Sequence, residues 1–338
     1  MPMRFARLYT SVLIMAAFGF LLWAGAYAYM HTPVRTSGQP IEVSIEPGWG
    51  FARISQTLAA KGVIQSTWKF RLLARYKQQA GAVQAGEFRL HSEWTPVKIL
   101  DALVSGRAVL HTFSIPEGLP WWEVAALAGK SPLTSREKFE AALRDSAFLA
   151  TWDIPTEHAE GFLFPETYHL HRPASQDPRP LLRAMFSQFW RIARTQLWPQ
   201  GLPETEEIVR TVTLASLVEK ETGRADERRT VAGVFANRLE RGMRLQCDPT
   251  IIYGIGPAFD GNIQRSDLKN ATNPYNTYQH AGLPPGPICS PGLAALQAAL
   301  NPEDHDYLYF VATKDGGHHF SRTLQEHNRA VRRYQLGR

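Results

Sequence analysis

Two glutamates close the most apolar helical segment outside the N-terminus of this 338-residue chain. Glu219 and Glu221 follow residues 208–218, where apolar side chains occupy most directions of a helical wheel, and each glutamate continues an apolar stripe of its own. A carboxyl group held against apolar walls has its charged form disfavoured, so its pKa rises, as a general acid requires near neutral pH. The pattern predicts a catalytic acid in this pair but does not choose between the two. For either glutamate the alternative is an exposed helix cap or an ion pair with Lys220 or Arg224.

A second group of polar residues lies downstream and suits a carbohydrate ligand. Gln246 and Asp248 are predicted to lie in a loop and to face a ligand, although an aspartate before Pro-Thr often simply caps a helix. The segment 273–278 supplies the Asn276 amide, which suits sugar hydroxyls, and the Tyr278 ring, which suits the C–H face of a sugar. Ordinary loop chemistry is the alternative for each motif. The predicted substrate contacts are Gln246, Asp248, Asn276, Tyr278 and, from an upstream aromatic-rich segment, Glu166.

Neither a metal site nor a cofactor site is indicated. His169 and His171 alternate along one segment and His318 and His319 are adjacent, but no HExxH pattern, cysteine pair or Asp/His ladder accompanies them. A serine nucleophile is also unsupported, because no GxSxG elbow occurs. We therefore expect no metal and no cofactor.

Composition indicates a folded protein. Hydrophobic residues make up 44% of the chain and charged residues 20%, which excludes wholesale disorder. The net charge of +6 is scattered, with no Lys/Arg run and no RNA-binding motif, so we expect no nucleic-acid partner. A mildly basic surface suits an anionic polymer or a membrane face.

The N-terminus predicts a membrane anchor. Residues 8–30 carry no charged side chain and meet the length of about 20 apolar residues that a helix needs to cross a bilayer. Arg4 and Arg7, in a tail at 1–7, place the N-terminus in the cytoplasm. We expect a single pass through the cell inner (cytoplasmic) membrane, with the C-terminal domain in the periplasm. A cleaved signal peptide is the alternative, because Ala26-Tyr27-Ala28 has the small-x-small form of a cleavage site.

The two cysteines, Cys247 and Cys289, leave their redox state open. Outside the cytoplasm they could form a disulfide, and two free buried thiols are an equally open alternative. Neither cysteine has a metal-ligand partner at usable spacing.

A small subdomain is predicted at residues 41–110, after a polar linker at 31–40. Ile41–Ile45 and Gly86–Leu90 have strand character, two helices lie between them, and Thr95 begins a further helix. This strand–helix–helix–strand order is that of a LysM-like module, a unit often associated with glycan chains. A packing or spacer domain is at least as good an interpretation of this weakly specific pattern.

Residues 111–338 are predicted to form a larger mixed α+β domain, so the fold class is α+β. Thr134 and Glu137 have capping-box spacing, which predicts a helix from 135 to about 149. The aromatic-rich residues 160–168 have strand character, and a long helix is expected at 180–197.

Several ordered motifs after residue 160 carry a family resemblance. They are GFLFPETY, LASLVEKET, VFANRLERGMRLQCDPT, NPYNTY, GLPPGPICSPG, YLYFVA and GGHHFSRTLQEHN. With the N-terminal anchor, the chain from about Ile41 onward resembles the YceG-like family of endolytic murein transglycosylases. The resemblance implies a YceG-like catalytic domain at 111–338 that cleaves peptidoglycan strands internally, outside the cytoplasmic membrane. Cys247 and Cys289 stand where the family often has other residues.

The resemblance also implies a mechanism and selects one glutamate. The family's acid is the second glutamate of its E-K-E-T motif, which is Glu221 here. In a lytic reaction Glu221 would protonate the oxygen between MurNAc and GlcNAc and then accept the proton of the MurNAc C6 hydroxyl, leaving a 1,6-anhydro end. The other acids, Glu117, Glu160, Glu166 and Asp248, would be structural or would stabilise the oxocarbenium ion.

Two alternatives of other classes remain at this point. A conventional hydrolytic muramidase would use water and a second carboxylate, with Glu166 or Asp248 as candidates. A non-catalytic, membrane-anchored scaffold would bind glycan strands without cutting them. In every case the expected partner is the peptidoglycan glycan strand, with cell-wall synthases in the same membrane as candidate protein partners.

Overall fold

The structure is a computed structural model that describes residues 2–34, 38–106, 109–173 and 175–336. The chain forms two compact units. The first comprises the chain up to His111 and a short return at 171–175, and the second comprises the remainder. Each unit combines helices with two-stranded sheets, which confirms the mixed α+β class.

A long apolar helix, α1 (Pro2–His31), begins the chain. Its stretch Leu13–His31 has a mean hydropathy of 1.7 and is not buried, and it is long enough to cross a membrane. The anchor segment predicted at 8–30 is thus one helix, which also includes most of the predicted tail. Met1 of that tail and residues 35–37 of the predicted linker lie outside the described residues.

The first unit has the predicted order of strands and helices. Its elements are β1 (Ile41–Ile45), α2 (Phe51–Ala60), α3 (Thr67–Tyr76), β2 (Gly86–Leu90) and α4 (Pro96–Val104). The two strands pair antiparallel, with Val43 opposite Phe88, and these inward residues join a single apolar core with the helices. Thr95 caps α4 by accepting a hydrogen bond from the Lys98 amide at 3.3 Å.

The second unit begins with β3 (His111–Ser114), α5 (Trp121–Lys130), α6 (Arg136–Leu143) and α7 (Ser146–Ala150). The single helix predicted at 135–149 is therefore wrong, as is its capping box. Ser135 is the cap of α6, whereas the Thr134 hydroxyl donates to the Gln176 carbonyl at 2.9 Å. Asp145 then interrupts the helix by accepting from the Phe148 amide at 3.0 Å, which starts α7.

The strand predicted at 160–168 is also wrong over most of its length. Only β4 (Thr167–Leu170) is extended, and it pairs with β3. Gly161 has a φ of +84°, and a Cβ there would lie 2.6 Å from the Val212 side chain. The chain therefore bends at this glycine, and the apolar residues after it enter the core instead of a sheet.

Four helices, one of them deeply buried, form the next part of the second unit. They are α8 (Arg179–Ile192), continued by a π-helical turn at Ala193–Leu197, α9 (Thr205–Glu221), α10 (Arg228–Glu240) and α13 (Leu293–Leu300). The long helix predicted at 180–197 is thus confirmed. Residues Thr211–Val218 of α9 are all buried, as its apolar wheel predicted, and α9 packs most extensively against α13.

The remaining elements include one further correction. They are α11 (Asp248–Ile255), α12 (Arg265–Lys269), β5 (Tyr309–Ala312), β6 (His318–Ser321) and α14 (Leu324–Tyr334). Asp248 lies in the first turn of α11 and not in the predicted loop, because Pro249 suits the start of a helix. The strands β5 and β6 form an antiparallel hairpin in which Ala312 pairs with His318.

Candidate active site

The helix α9 delivers two carboxyl groups from its last turn. Its polar residue Ser216 is fully buried, where the hydroxyl donates to the Thr213 carbonyl at 2.7 Å and accepts from the Ile288 amide at 3.0 Å. These bonds fix the helix against the loop that contains Ile288. Glu219 and Glu221 therefore end on a rigid support, yet their surroundings differ.

The contacts of Glu219 indicate a structural role. Its side chain is 7% exposed, and Oε2 accepts a hydrogen bond from the Gly292 amide at 3.0 Å. Its Oε1 lies 3.6 Å from the Arg228 guanidinium, which also lies 4.0 Å from Glu117. These contacts join the end of α9 to α10 and to the start of α13.

Among the residues that the structure describes, Glu221 has no such ion pair. Burial raises the pKa of its carboxyl group above the usual range, and the negative charge of Asp248 acts in the same direction. A hydrogen bond from the Cys247 thiol and the electrostatic effects of His318 and Arg238 oppose the rise. The four groups come from three segments of the chain, around residues 238, 247–248 and 318, so this carboxyl has the composite surroundings that are common at functional sites.

The segment before α11 alternates between the core and the surface beside Glu221. Leu245 and Cys247 are buried, whereas Gln246 and Asp248 are exposed. Gln246 has a φ of +49°, in the left-handed region, and its amide donates to the Thr277 carbonyl at 3.2 Å. A non-glycine residue in this conformation is costly and is retained at sites where the surroundings enforce it. Gln246 and Asp248 therefore project on the outer side while Cys247 points inward to Glu221.

Tyr278 is half-buried beside this exposed pair, whereas Asn276 is buried and shapes the same loop. The Tyr278 hydroxyl donates to Asp248 Oδ1 at 2.6 Å, and burial and Asp248 together raise the pKa of the phenol. Asn276 is fully buried, and its amide donates to the carbonyls of Asp267 and Asn270 at 3.0 and 2.9 Å. The hydrogen bonds of the Asn276 amide are therefore made within its own loop. We call Gln246, Asp248 and Tyr278 the polar rim.

Glu166 lies apart from the polar rim in every described contact. Its Oε1 accepts from the Thr167 amide at 2.9 Å, and its Oε2 lies 3.5 Å from the Gln188 amide nitrogen on α8. The structure brings Glu221, Asp248 and Tyr278 together electrostatically, but it records no interaction of Glu166 with Glu221.

A histidine–glutamate pair beside Glu221 was not predicted. The Glu227 carboxylate lies 2.7 Å from His318 Nδ1 and accepts the His318 backbone amide at 3.0 Å. The Thr222 hydroxyl, next to Glu221 in the chain, also contacts Glu227 at 3.5 Å. The sequence suggests His318 only as a metal ligand, because nothing local joins it to a glutamate 91 residues away.

Arg238 is a second cation that was missed as part of the site. It is 8% exposed, and it donates from Nε to the Leu308 carbonyl at 2.6 Å and from Nη1 to the Leu245 carbonyl at 2.7 Å. The guanidinium thereby holds the chain just before Gln246 against the hairpin that begins near Leu308. It supplies positive charge toward Glu221 without being exposed.

Glu160 forms a separate buried centre. Its Oε2 accepts from the Trp121 amide at 3.1 Å, its Oε1 accepts from the Gly161 amide at 3.2 Å, and the Tyr253 phenol bonds to it. Burial raises the pKa of Glu160 to about 8, against these hydrogen bonds, which lower it. At 2% exposure this carboxyl is closed off by its own partners, which indicates a structural role.

Both cysteines are free and buried. Burial raises the pKa of each thiol, so both stay protonated and Cys247 can donate to Glu221. Among the described residues, no group of three His, Cys, Asp or Glu side chains could hold a metal ion.

Known proteins share this sequence and fold. A model described as the YceG-like family matches residues 43–333. A Bacillus subtilis (strain 168) protein named endolytic murein transglycosylase is 32% identical over 335 residues, covering 93% of this chain and 91% of that protein. A Streptococcus pneumoniae (strain ATCC BAA-255 / R6) protein of the same name is 31% identical over 324 residues, covering 86% of this chain and 58% of that longer protein.

The fold also resembles that of a solved structure. The crystal structure of a yceG-like protein from Listeria monocytogenes matches with a TM-score of 0.56 and 30% sequence identity, covering 87% of this chain and all of that one. Because the family model and these relatives span most of the sequence, the chain belongs to the YceG-like family.

Proposed function

We infer that this chain is a peptidoglycan lytic transglycosylase, a lyase, and we propose Glu221 as its acid and base. The observation that carries the proposal is the surroundings of Glu221. It is a carboxyl group with a raised pKa at a rigid helix end, beside the exposed polar rim. Relatives named endolytic murein transglycosylase supply the class of substrate.

The first step is protonation of the leaving oxygen. Protonated Glu221 transfers its proton to the oxygen between MurNAc C1 and the following GlcNAc, and the C1–O bonding pair leaves with that oxygen. C1 gains oxocarbenium character, which the Asp248 carboxylate on the polar rim can offset. The carboxylate that forms on Glu221 is stabilised by the Cys247 thiol and by the cations that already lower its pKa.

The second step closes a ring without water. The C6 hydroxyl of the same MurNAc attacks C1, its proton passes to Glu221, and a 1,6-anhydro end forms while the acid is regenerated. Because the nucleophile belongs to the substrate, one enzymic carboxyl suffices, unlike the usual pair of glycosidase carboxyls about 5–9.5 Å apart. Holding the hydroxyl near C1 supplies acceleration through proximity.

The polar rim is the proposed contact surface for the sugar strand. Gln246 and Asp248 offer an amide and a carboxylate to hydroxyls, and the Tyr278 ring offers a stacking face. Asn276 acts indirectly in this proposal by shaping the loop that carries Tyr278. Glu166 would meet a strand only at a distance from the scissile bond.

The pair of His318 and Glu227 is proposed to position charge beside the reacting group. Glu227 holds the ring through Nδ1 and fixes its backbone amide, so the imidazole orientation is set from two sides. A protonated ring held this way favours the carboxylate form of Glu221, the form that exists after the first step.

The N-terminal part has a proposed role in location. In this proposal α1 is a single-pass anchor in the cytoplasmic (inner) membrane, with the N-terminus in the cytoplasm and the catalytic unit in the periplasm. Its apolar length supports crossing. Residues 41–110 are proposed as a LysM-like module that contacts glycan or acts as a spacer, and cell-wall synthases in the same membrane are the proposed protein partners.

A hydrolytic muramidase is the second candidate, because the Asp248 carboxylate lies close enough for its charge to raise the Glu221 pKa. Such an enzyme would use Asp248 with water. A scaffold that only binds strands would leave their lengths unchanged.

Product ends distinguish these functions. The full chain in detergent is incubated with purified glycan strands, and the new ends are identified by mass spectrometry. We expect 1,6-anhydro-MurNAc ends, and none with the Glu221→Gln variant. Reducing ends would establish the hydrolase instead, and unchanged strands with correctly folded protein would establish the scaffold.

A further inference from the structure

The outward face of α3 is apolar where a surface helix is normally polar. Trp68, Leu72 and Tyr76 are 63%, 58% and 80% exposed. They recur every fourth residue, so they form one stripe along the helix. Phe70 and Leu73 on the other side are buried in the core of the first unit, so the stripe is not the core face turned outward. Exposed apolar stripes of this kind mark interaction surfaces.

Within α3 itself the charged residues beside the stripe are all cations. Lys69, Arg71 and Arg75 are exposed, and the helix sequence TWKFRLLARY contains no acidic residue. Long basic side chains beside an aromatic stripe are typical of helices that lie in the boundary between lipid headgroups and acyl chains. A sugar-binding face would need amide or carboxylate partners for hydroxyls, and the outward positions of α3 have none.

The start of α3 adjoins the end of the apolar helix α1 within the same unit. The Tyr29 hydroxyl donates to the Ser66 carbonyl at 3.2 Å, and Ser66 is the residue that precedes α3. The Lys69 ammonium lies 5.5 Å from the centre of the Tyr29 ring. Tyr29 belongs to the last turn of α1. The stripe therefore begins at the level where the apolar span ends.

We propose that α3 docks on the bilayer surface, with Trp68, Leu72 and Tyr76 at the boundary of headgroups and acyl chains and its three cations on anionic phospholipid headgroups. The inference rests on the proposed anchoring by α1 and is continuous with it. A spanning helix and a surface helix in the same membrane would together restrain the tilt of the first unit relative to the bilayer. A single spanning helix would leave that tilt unrestrained.

Site-directed nitroxide labels test the contact in the full chain. Leu72→Cys is labelled in nanodiscs of phosphatidylcholine, alone or mixed in equal parts with phosphatidylglycerol. The native thiols Cys247 and Cys289 are buried and do not compete in the folded protein. Accessibility to oxygen, which concentrates in lipid, is compared with accessibility to a water-soluble nickel complex. Gln56→Cys, at an exposed position of α2, is the aqueous control, and Leu21→Cys is the control within the span.

The expected result is severalfold protection of the label at position 72 from nickel, relative to position 56. Protection should be greater with phosphatidylglycerol and should fall when Arg71→Glu and Arg75→Glu are added. If position 21 is in lipid but position 72 is as open to nickel as position 56, the surface contact is overturned and the anchor stands. If position 21 is also in water, the anchor and the contact both fail. A label at 72 shielded from both agents would mean that protein or glycan covers the stripe, which also overturns the proposal.

Discussion

Glu219 and Glu221 leave the same turn of one helix and enter different surroundings. Glu219 meets a backbone amide and a guanidinium, both of which satisfy a charged carboxylate. Burial raises the pKa of Glu221. Its neighbours are a thiol and charged groups that shift this pKa in opposite directions. One carboxyl group thus joins structural elements through its hydrogen bond and ion pair, while burial favours the protonated form of the other.

Apolar periodicity locates carboxyl groups along a helix but does not assign their roles. Both glutamates continue an apolar stripe of α9, and the local pattern is equal for the two. The partner that separates them, Arg228, lies on the next helix. The role of a carboxyl group therefore depends on its tertiary surroundings. The charged groups that the fold keeps away from the carboxyl matter as much as those that the fold places beside it.

Replacing each glutamate by glutamine should separate activity from stability. Glu221→Gln cannot donate a proton, so we expect cleavage to fall by at least about a thousandfold, with thermal unfolding unchanged. Glu219→Gln retains an acceptor for the Gly292 amide but leaves Arg228 less neutralised. We expect the free energy of unfolding to fall by about 1–3 kcal/mol, with near-normal activity in the folded fraction.

The two variants are compared by strand cleavage and by urea unfolding at one pH. The assignment of the two roles would be contradicted if Glu219→Gln were stably folded and inactive while Glu221→Gln still cut strands, because the roles would then be exchanged.

Local signals predicted much of the fold. Strand alternation and helix caps located β1, β2 and α4, and the apolar wheel located α9, because each depends on neighbours within a few residues. The break between α6 and α7 was missed, because the Asp145 cap competes with a pattern that reads as one helix. The bend at Gly161 was missed because its cause, close packing on Val212, is tertiary.

The site was predicted less completely, for the same physical reason. Glu221 was selected through the family resemblance, and Asp248 and Tyr278 were named from residue type. The neighbours that tune Glu221, namely Cys247, His318 and Arg238, come from different elements and meet only after folding. Asn276 shows the converse, since an amide that suits a sugar in sequence is used entirely by its own loop.

Glu160 tests whether a raised pKa alone marks a catalytic carboxyl. The unfolded carboxyl ionises near its ordinary pKa of 4.5 and the folded one near 8, so between these values the folded state holds one more proton. Folding stability should therefore decrease with rising pH in that window, by about 1.4 kcal/mol per pH unit from this group. Urea unfolding of wild type and Glu160→Gln between pH 5 and 8 should differ by this slope.

Two outcomes would count against this account of Glu160. Parallel stability curves for wild type and variant would mean that the carboxyl ionises normally in the folded protein. A well-folded Glu160→Gln variant as inactive as Glu221→Gln would mean that the enclosed carboxyl takes part in the chemistry, and enclosure would no longer separate structural from catalytic acids.

The charges around Glu221 should move its pH profile in opposite directions. In the proposed mechanism cleavage begins with protonated Glu221, so kcat should fall as pH rises through its pKa. His318 lowers that pKa and Asp248 raises it, with Arg238 and the Cys247 thiol also lowering it. His318→Gln should thus shift the alkaline limb to higher pH and Asp248→Asn to lower pH, each by at most about one pH unit, whatever the change in the maximal rate.

His319 supplies a matched control for this smallest effect. It is exposed and is adjacent to His318 on β6, so it points to the opposite side of the strand, where its ring lies 5.5 Å from that of Tyr334. His319→Gln should leave the alkaline limb in place. Because the two charge substitutions act on one carboxyl with opposite signs, general disturbance of the site cannot imitate them. Shifts of His318→Gln and Asp248→Asn in the same direction would show that packing, and not charge, sets the proton affinity of Glu221.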